Sequence, residues 1–180
     1  MKLKINRMLA GLLACLIVLS GIPMIVTVSA EEASGITIGT LAELQAFADA
    51  VNSGTSYEGV TVTLTANISL GGKNAPWTAV GTSSNPFKGT FDGNYHVISG
   101  LYIASDSSVG FFGEVKDGTV KNLTVRGEVS GSSNVAGIVG KLTAGNVTDC
   151  GNEATVSGTS NVGGVVGSVN GECVISGCYN

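Results

Sequence analysis

The chain has 180 residues, of which 43% are hydrophobic, only 12% are charged and 27 are glycine, and its formal net charge is −4. This composition is typical of a packed, β-rich protein rather than a disordered chain, and its length suffices for one domain with a sizeable core. Without the first 30 residues, six basic side chains stand against thirteen acidic ones, a net charge of −7. Such a balance excludes nucleic acid and anionic membrane surfaces as expected partners.

Residues 1–30 have the pattern of a signal peptide. Three basic side chains lie within the first seven residues, residues 8–19 are apolar, and Val28-Ser29-Ala30 provides small residues for cleavage. The apolar stretch is long enough that retention as an uncleaved anchor is the alternative. We therefore expect a protein that is secreted or displayed on the cell surface, with no membrane contact apart from this segment.

Residues 31–56 are predicted to contain the one helix of the mature chain. Thr40 and Glu43 have the spacing of a capping box. An apolar stripe at helical spacing follows, formed by Leu41, Leu44, Phe47, Ala48 and Val51. Because the terminal turn of a stacked β structure exposes strand edges and apolar core, we expect this helix to cover the N-terminal end.

Residues 57–106 are predicted to form irregular first coils. Between residues 60 and 70 apolar residues alternate with Thr61, Thr63 and Thr65, which predicts a half-buried strand, or two strands that meet at Ala66-Asn67. The threonines are expected to form a solvated face of good strand formers. An ice-binding hydroxyl array is an alternative, but the threonine row does not recur in the later coils.

Residues 107–180 repeat with a period of 27 residues. The clearest repeated feature is a Gly-apolar-apolar-Gly motif, and Val120 recurs as Val147 and Val174. The glycines of the three motifs are Gly110 and Gly113, Gly137 and Gly140, and Gly164 and Gly167. Self-similarity at such a period indicates a solenoid, propeller or array.

Each unit contains three short apolar runs, which in the middle unit are residues 135–139, 147–150 and 154–156. Short runs rich in Val and Ile between polar breaks are typical of strands. The prediction is an all-β fold, a right-handed parallel β-helix (β-solenoid) with coils of about 27 residues and a short N-terminal capping α-helix. A β-propeller suits the period less, because its blades need about 40 residues. The repeated glycines would supply positive-φ corners or close backbone approach.

The Gly-apolar-apolar-Gly motifs, together with the Thr119-Val120-Lys121-Asn122-Leu123-Thr124-Val125 string, resemble the GLUG-motif repeat family. Residues 87–101 are similar to the segment that leads into such repeats, so the resemblance covers most of residues 57–180. The sequence departs from the pattern where Phe111-Phe112 replaces an aliphatic pair. The family occurs in secreted and surface proteins of bacteria, including some immunoglobulin-A-cleaving metallopeptidases and adhesin-like chains. The resemblance implies a β-solenoid module on an exported protein, and no activity.

No catalytic residue, cofactor or metal site is predicted. Asp92 and His96 form one carboxylate–imidazole pair beside a turn, but the turn chemistry of Asp92-Gly93-Asn94 accounts for them. The sequence has one His, no His-Glu-x-x-His zinc signature and no Cys-x-x-Cys pair. Its Gly-x-x-Gly pairs lack the Lys-Ser or Lys-Thr of a phosphate-binding loop.

Three cysteines follow the predicted signal peptide. Cys150 and Cys178 are 28 residues apart, close to one period, so they would lie on adjacent coils at a distance that a disulfide spans. Cys173 with Cys178 is a second candidate pairing. The interpretation that we favour for Cys150 is a reduced thiol packed in the core.

Asn122, Asp149 and Ser176 follow one another at about one period. We expect their side chains to stack at a corner and to hydrogen-bond along the axis of the coils. Such a ladder is structural rather than a binding site.

The leading functional interpretation is a non-catalytic extracellular or cell-surface module for adhesion or spacing, the N-terminal part of a larger exported bacterial protein with its repeats truncated at residue 180. The expected partner is a glycan or a host or cell-surface protein. Self-association through an open C-terminal coil is the other expected contact. The alternative is a carbohydrate-active enzyme, a polysaccharide lyase or hydrolase, by analogy of fold. An ice-binding solenoid is the third hypothesis.

Overall fold

The computed structural model describes residues 35–180. The predicted signal peptide, with its cleavage site and Cys15, lies outside the described residues. No helix of the described part is long and apolar enough to cross a membrane. The elements in chain order are β1 (Ile36–Ile38), α1 (Leu41–Asn52), β2 (Thr61–Leu64), β3 (Ile68–Ser69), a 3₁₀ turn (Gly72–Asn74), β4 (Thr90–Asp92), β5 (Val97–Val109), β6 (Phe112–Lys116), β7 (Thr119–Lys121), β8 (Thr124–Val135), β9 (Val139–Thr143), β10 (Asn146–Thr148), β11 (Gly151–Val162), β12 (Val166–Asn170) and β13 (Val174–Ser176).

The strands form three parallel sheets, and each strand pairs with the equivalent strand of the next repeat. Sheet A has the order β1-β2-β4-β7-β10-β13, sheet B the order β3-β5-β8-β11, and sheet C the order β6-β9-β12. Partners in the regular region are 27 residues apart, as in the pairs Val120–Val147, Val129–Val156 and Val139–Val166. The protein is therefore mostly β, with parallel sheets and one helix, and its strands stack at the predicted period. We call one pass through the three sheets a coil.

The core lies between the sheets and is built from side chains that stack in register. Val62, Phe91, Val120 and Val147 are fully buried and lie opposite one another on four neighbouring strands of sheet A. Burying one such side chain stabilises the fold by about 1.5–3 kcal/mol. The alternating stretch between residues 60 and 70 forms the two short strands β2 and β3. The two-strand alternative is therefore confirmed.

Helix α1 begins with the predicted capping box. The Glu43 amide donates to Thr40 Oγ1 at 3.2 Å, and the Thr40 amide donates to Glu43 Oε2 at 3.0 Å. The apolar stripe is buried except for Leu41, which is exposed in the first turn. The Phe47 ring lies 5.6 Å from the rings of both Phe87 and Phe91. The helix thus packs on the core of the first coils.

The last residue of α1 hydrogen-bonds the N-terminal edge of sheet C. Asn52 Nδ2 donates to Ala79 O at 3.1 Å, and Asn52 Oδ1 accepts from the Gly81 amide at 2.8 Å. Between these two residues Val80 pairs with Phe112 of β6. Asn52 therefore satisfies backbone groups that an open edge would leave unpaired. The predicted covering role of the helix is confirmed at this edge.

The six repeat glycines serve close backbone approach, which is one of their two predicted roles, and they do not supply the positive-φ corners. None of the six has a positive φ, and the positive-φ corners fall instead on other residues of each coil. A Cβ on Gly113, Gly140 or Gly167 would lie 2.5–2.7 Å from backbone atoms of a neighbouring segment. A Cβ on Gly110 would lie 2.9 Å from the Ala136 carbonyl oxygen. The corresponding space at Gly137 and Gly164 holds the side-chain amides of Asn152 and Asn180.

Each coil turns at three left-handed corners. These corners are Ser108, Asn134 and Asn161, then Asp117, Ala144 and Gly171, then Asn122, Asp149 and Gly177. Asn, Asp, Ser and Gly favour such positions, because their side chains are small, hydrogen-bond locally or are absent. The strand prediction for residues 135–139 is wrong, because Val135 is the last residue of β8, residues 136–138 form a bend, and β9 begins only at Val139. The predicted 147–150 strand starts and ends earlier, and the 154–156 strand is much longer.

The third repeat is one residue longer than the sequence pattern predicts. Val147 pairs with Ile175, and Val174 lies opposite Asn146. The predicted equivalence of Val147 and Val174 is therefore wrong by one residue. The extra residue lies in the corner between β12 and β13, where residues 171–173 replace the two-residue corner 144–145.

A threonine row does recur along sheet A, contrary to expectation. Thr61, Thr90 and Thr119 lie in register on β2, β4 and β7. Their spacing is 29 residues rather than 27, so the 27-residue repeat of the sequence does not reveal this row. In the adjacent row Asp92 pairs with Lys121 at 3.2 Å and interrupts the hydroxyl surface.

The last coil lies at the edge of all three sheets, because β11, β12 and β13 are each terminal in their sheet. Its apolar side chains are about half exposed, namely Val162, Val169, Val174, Ile175 and Tyr179. Self-association through this surface stays a prediction.

Candidate functional site

The structure does not bring Asp92 and His96 together as an acid–base pair. Asp92 Oδ2 lies 3.2 Å from Lys121 Nζ, and its Oδ1 accepts from Asn122 Nδ2 and from the Asn94 amide, both at 2.9 Å. Burial raises the pKa of the Asp92 carboxyl, but the hydrogen bonds from Asn122, Asn94 and Lys121 outweigh it and hold that pKa below its usual range. Asp92 is thus occupied as a structural carboxylate.

His96 has a separate partner on another coil. Its Nδ1 lies 3.3 Å from Asn67 Oδ1, and that same oxygen accepts from the Val97 amide at 2.8 Å. Within residues 35–180 no three His, Cys, Asp or Glu side chains are grouped closely enough to hold a metal ion.

The predicted ladder of Asn122, Asp149 and Ser176 does not form, and a polar ladder of other residues lies elsewhere on the coils. Asn122 hydrogen-bonds Asp92 rather than Asp149, and Ser176 lies opposite Thr148 because of the longer third repeat. The ladder runs instead through three left-handed residues. Asn161 Nδ2 donates to Asn134 Oδ1 at 3.0 Å, and Asn134 Nδ2 donates to Ser108 Oγ at 3.4 Å.

The register places Cys150 and Cys178 at equivalent positions on adjacent coils, as predicted. All three cysteines of the described chain are free thiols, so neither candidate disulfide is formed. Cys150 is fully buried, and its Sγ donates to Thr148 O at 3.2 Å. The favoured interpretation of a reduced, packed Cys150 agrees with this arrangement.

The Cys150 thiol is expected to resist alkylation in the folded protein. Burial is the main cause that raises its pKa to about 12, and only the thiolate reacts rapidly. In iodoacetamide at pH 8, mass spectrometry should find Cys150 unmodified while the half-buried Cys173 and Cys178 react. All three should react in urea. Equal labelling rates in the folded state would contradict the buried position of Cys150.

One surface groove follows from the unequal lengths of two paired strands. β3 has 2 residues and β5 has 13, so β5 continues without a strand partner on its N-terminal side. The segment after the 3₁₀ turn crosses this gap, where the Trp77 amide donates to Tyr102 O at 2.8 Å. A cavity of about 490 Å³ remains between this segment and residues 103–109 of β5.

This cavity, which we call the hydroxyl groove, is lined by small polar side chains above an apolar floor. Its hydroxyl side chains are Thr78, Thr82, Ser83, Ser105, Ser107 and Ser108. Thr82 Oγ1 accepts from the Asn85 amide, and Ser108 Oγ accepts from Asn134. The other four hydroxyls have no hydrogen-bond partner in the described part of the chain, so they are available to a ligand.

Trp77 makes the floor of the hydroxyl groove rigid. Its indole Nε1 donates to Phe111 O at 3.2 Å. The indole also stacks on the Phe111 ring, with 5.5 Å between ring centroids and 9° between planes. A site held by packed side chains binds with less ordering cost than a mobile one.

A second groove of about 400 Å³ lies on the outer face of sheet C, and we call it the lysine groove. It is lined by Ser83, Ser84, Pro86, Lys88, Glu114, Lys116, Lys141, Thr143 and Asn170. The groove arises from a loop. Val80 pairs with Phe112 and Phe87 pairs with Val115, so the segment between Val80 and Phe87 is longer than the strand segment opposite it, and residues 81–86 bulge out. Asn85 Nδ2 donates to Asn52 O at 2.7 Å, which ties this loop to the end of α1.

The lysine groove carries excess positive charge. Glu114, whose side chain is 8% exposed, pairs with Lys141 at 2.8 Å. Lys88 is 4.0 Å from Glu58, whose side chain is 77% exposed, so that ion pair is weak. Lys116 makes no ion pair with any described residue. Of the three lysines, Lys116 is therefore unpaired among the described residues and Lys88 is only weakly paired.

Ser83 lines both grooves, so they meet at the 81–86 loop. The repeat pattern did not point to this site, because the repeat is carried by apolar residues and the groove-lining residues are polar. The available signals were the serine-rich 105–108 stretch and the spacing of Lys88 and Lys116, which is close to one period.

No protein-family model, no curated protein and no solved structure matches this chain. The resemblance to GLUG-motif repeats therefore stays a prediction that rests on its residues.

Proposed function

We propose that this chain is a non-catalytic module of an exported protein and that it binds a glycan at the cell surface through the hydroxyl groove. The observation that carries the proposal is the set of four unpartnered hydroxyls in one rigid cavity. A serine or threonine hydroxyl both donates and accepts, and a sugar ring presents the same chemistry. The groove therefore matches a saccharide better than an apolar ligand.

The proposed architecture is a right-handed parallel β-helix with GLUG-type repeats. Parallel strands joined by crossovers within a sheet are right-handed in about 98% of cases, and each sheet here is parallel and revisited once per coil. Export is supported by the signal-peptide pattern of residues 1–30. A stack of coils also spaces its ends apart, which suits an adhesion module.

Binding without catalysis is the better-supported alternative. Most glycoside hydrolases use two carboxylates on either side of the scissile bond. The residues lining the two grooves include one carboxylate, Glu114, and it is paired with Lys141. Asp92 and His96 are each engaged by other partners.

Filling the hydroxyl groove is expected to weaken glycan binding by about tenfold or more without unfolding the protein. Ser105 is exposed on β5, so the Ser105→Tyr variant places a ring in the cavity without disturbing the core. Affinity electrophoresis through gels containing soluble polysaccharides should retard the parent protein in at least one gel. The variant should be retarded much less, with an apparent Kd at least about tenfold higher, equivalent to about 1.4 kcal/mol of lost binding free energy.

Thr155→Tyr is the matched control, because Thr155 is exposed on β11 and lines neither groove. It should migrate like the parent protein. Two results would sink the proposal: equal retardation of parent and Ser105→Tyr in every gel, or no retardation of the parent in any. Release of reducing ends or unsaturated sugars from the polymer would instead support a hydrolase or lyase.

A further inference from the structure

We infer that the lysine groove binds the acidic groups of an anionic polysaccharide whose neutral part lies in the hydroxyl groove. This inference rests on the glycan-binding function proposed above and adds the chemical class of the glycan. It is carried by the position, charge and hydrogen bonding of the residues around the 81–86 loop.

The lysine groove is positively charged, whereas the chain that follows residue 30 carries a net negative charge. Three of the six basic residues that follow residue 30 line it, although that part of the chain has a net charge of −7. The ion pair of Lys141 with Glu114 is internal to the groove, so the positive charge available to a ligand is that of Lys116 and of Lys88, whose only ion pair is the weak one with exposed Glu58. Lysine ammonium groups pair with carboxylate or sulfate as point charges and impose little geometry.

Coil stacking arranges the lining residues as a row along the axis of the coils. Phe87 pairs with Val115, Lys116 pairs with Thr143, and Thr143 pairs with Asn170. Lys88 follows Phe87 as Lys116 follows Val115, so Lys88 lies next to Lys116 and begins the row. Neighbouring strands are about 4.8 Å apart, and a row with this regular spacing suits a polymer of repeating acidic units better than a single small anion.

The row also contains a buried hydroxyl without a partner. Thr143 Oγ1 is the one buried side-chain nitrogen or oxygen in the described part of the chain that makes no hydrogen bond. Buried polar groups are nearly always paired, and an exception calls for a ligand or ordered water. Thr143 lies between Lys116 and Asn170 in the row, but its Oγ1 is closed to solvent, so the two lysines carry the inference and Thr143 supports only the wall of the groove.

The two grooves form one path for a chain-like ligand. They share Ser83, and hydrogen bonds of Gly81 and Asn85 to Asn52 tie the loop that separates them to the end of α1. Sugar hydroxyls on one side of the loop and acidic groups on the other satisfy both linings at once.

The test compares polygalacturonate with its fully methyl-esterified form, which has the same backbone and no charge. Isothermal titration calorimetry should show binding of the acid form at least about tenfold tighter, weakened by added salt. Lys116→Gln and Lys88→Gln should each weaken binding of the acid form about tenfold and leave the ester unchanged. Thr143→Val should weaken it less. Dextran sulfate, which carries sulfate and no carboxylate, separates sulfate from carboxylate as the preferred charge when it replaces polygalacturonate.

Lys73→Gln is the matched control, because it removes one positive charge from an exposed lysine that pairs with Glu128 outside the groove. It should bind like the parent protein. Equal affinity for acid and ester, with binding still weakened by Ser105→Tyr, overturns this inference and leaves the glycan-binding function standing. Equal losses from Lys73→Gln and Lys116→Gln overturn it as well. Binding of none of the polymers contradicts both proposals.

Discussion

The Gly140→Ala variant is expected to lose about 3 kcal/mol of free energy of unfolding. A Cβ at this position would lie 2.6 Å from the carbonyl carbon of Ser108 and from the Val109 nitrogen. These are backbone atoms in a packed strand, so no side-chain rotation relieves the clash. The segment from Ser108 would have to shift, and with it the asparagine ladder and one wall of the hydroxyl groove. Urea denaturation followed by far-ultraviolet circular dichroism measures the change.

Gly59→Ala separates the clash from the ordinary effect of replacing glycine. Gly59 has a φ of +74° and no atom within 4 Å of its added Cβ. The cost there is that of a left-handed alanine, about 1 kcal/mol. If the two variants unfold at the same urea concentration, close backbone approach is not the role of the repeat glycines.

The Phe112→Ala variant is expected to lose about 4 kcal/mol of free energy of unfolding. Phe112 is fully buried, and its ring centroid lies 5.1–5.2 Å from those of Phe87, Phe91 and Phe111. Removing it leaves a cavity in the aromatic core of the first coils and breaks three ring–ring contacts. Thermal and urea unfolding of the same sample measure the loss.

Val139 provides the matched control for Phe112. The two residues pair directly on β6 and β9, and both are fully buried. Val139→Ala removes a smaller side chain from an aliphatic site and should cost about 2 kcal/mol. A loss for Phe112→Ala no greater than that for Val139→Ala would contradict the aromatic packing at the N-terminal end.

The repeat period was enough to predict the strand stacking, because side chains one coil apart must fit the same position. The match of Val120 with Val147 and of Val129 with Val156 follows from it. The capping box of α1 was also predictable, since it depends on two residues three apart. Handedness, export and the family resemblance were inferred from the same patterns and remain predictions.

The errors came where local backbone geometry decides the register. One extra residue in a corner moves Val174 out of line with Val147, and no apolar pattern reveals it. The bend at residues 136–138 interrupts a run that is apolar in sequence, so that its first residue ends β8 and its last begins β9. The role of the repeat glycines depends on which segments approach one another, and a sequence alone does not contain that distance.

The candidate site was missed because its residues come from segments without a shared motif. The hydroxyl groove exists because β3 is shorter than β5, and the lysine groove because the 81–86 loop bulges from sheet C. Both depend on α1, whose Asn52 holds the loop in place. A helix that was predicted only to cover an edge therefore also positions the proposed binding surface.

The most direct measurement is an NMR titration of the uniformly ¹⁵N-labelled protein with an oligosaccharide that it binds. The account predicts that the largest amide shifts fall in the two grooves, at residues such as Thr78, Ser83, Ser105 and Lys116. Shifts confined to the last coil or to the threonine row of sheet A would contradict it and place the binding surface elsewhere.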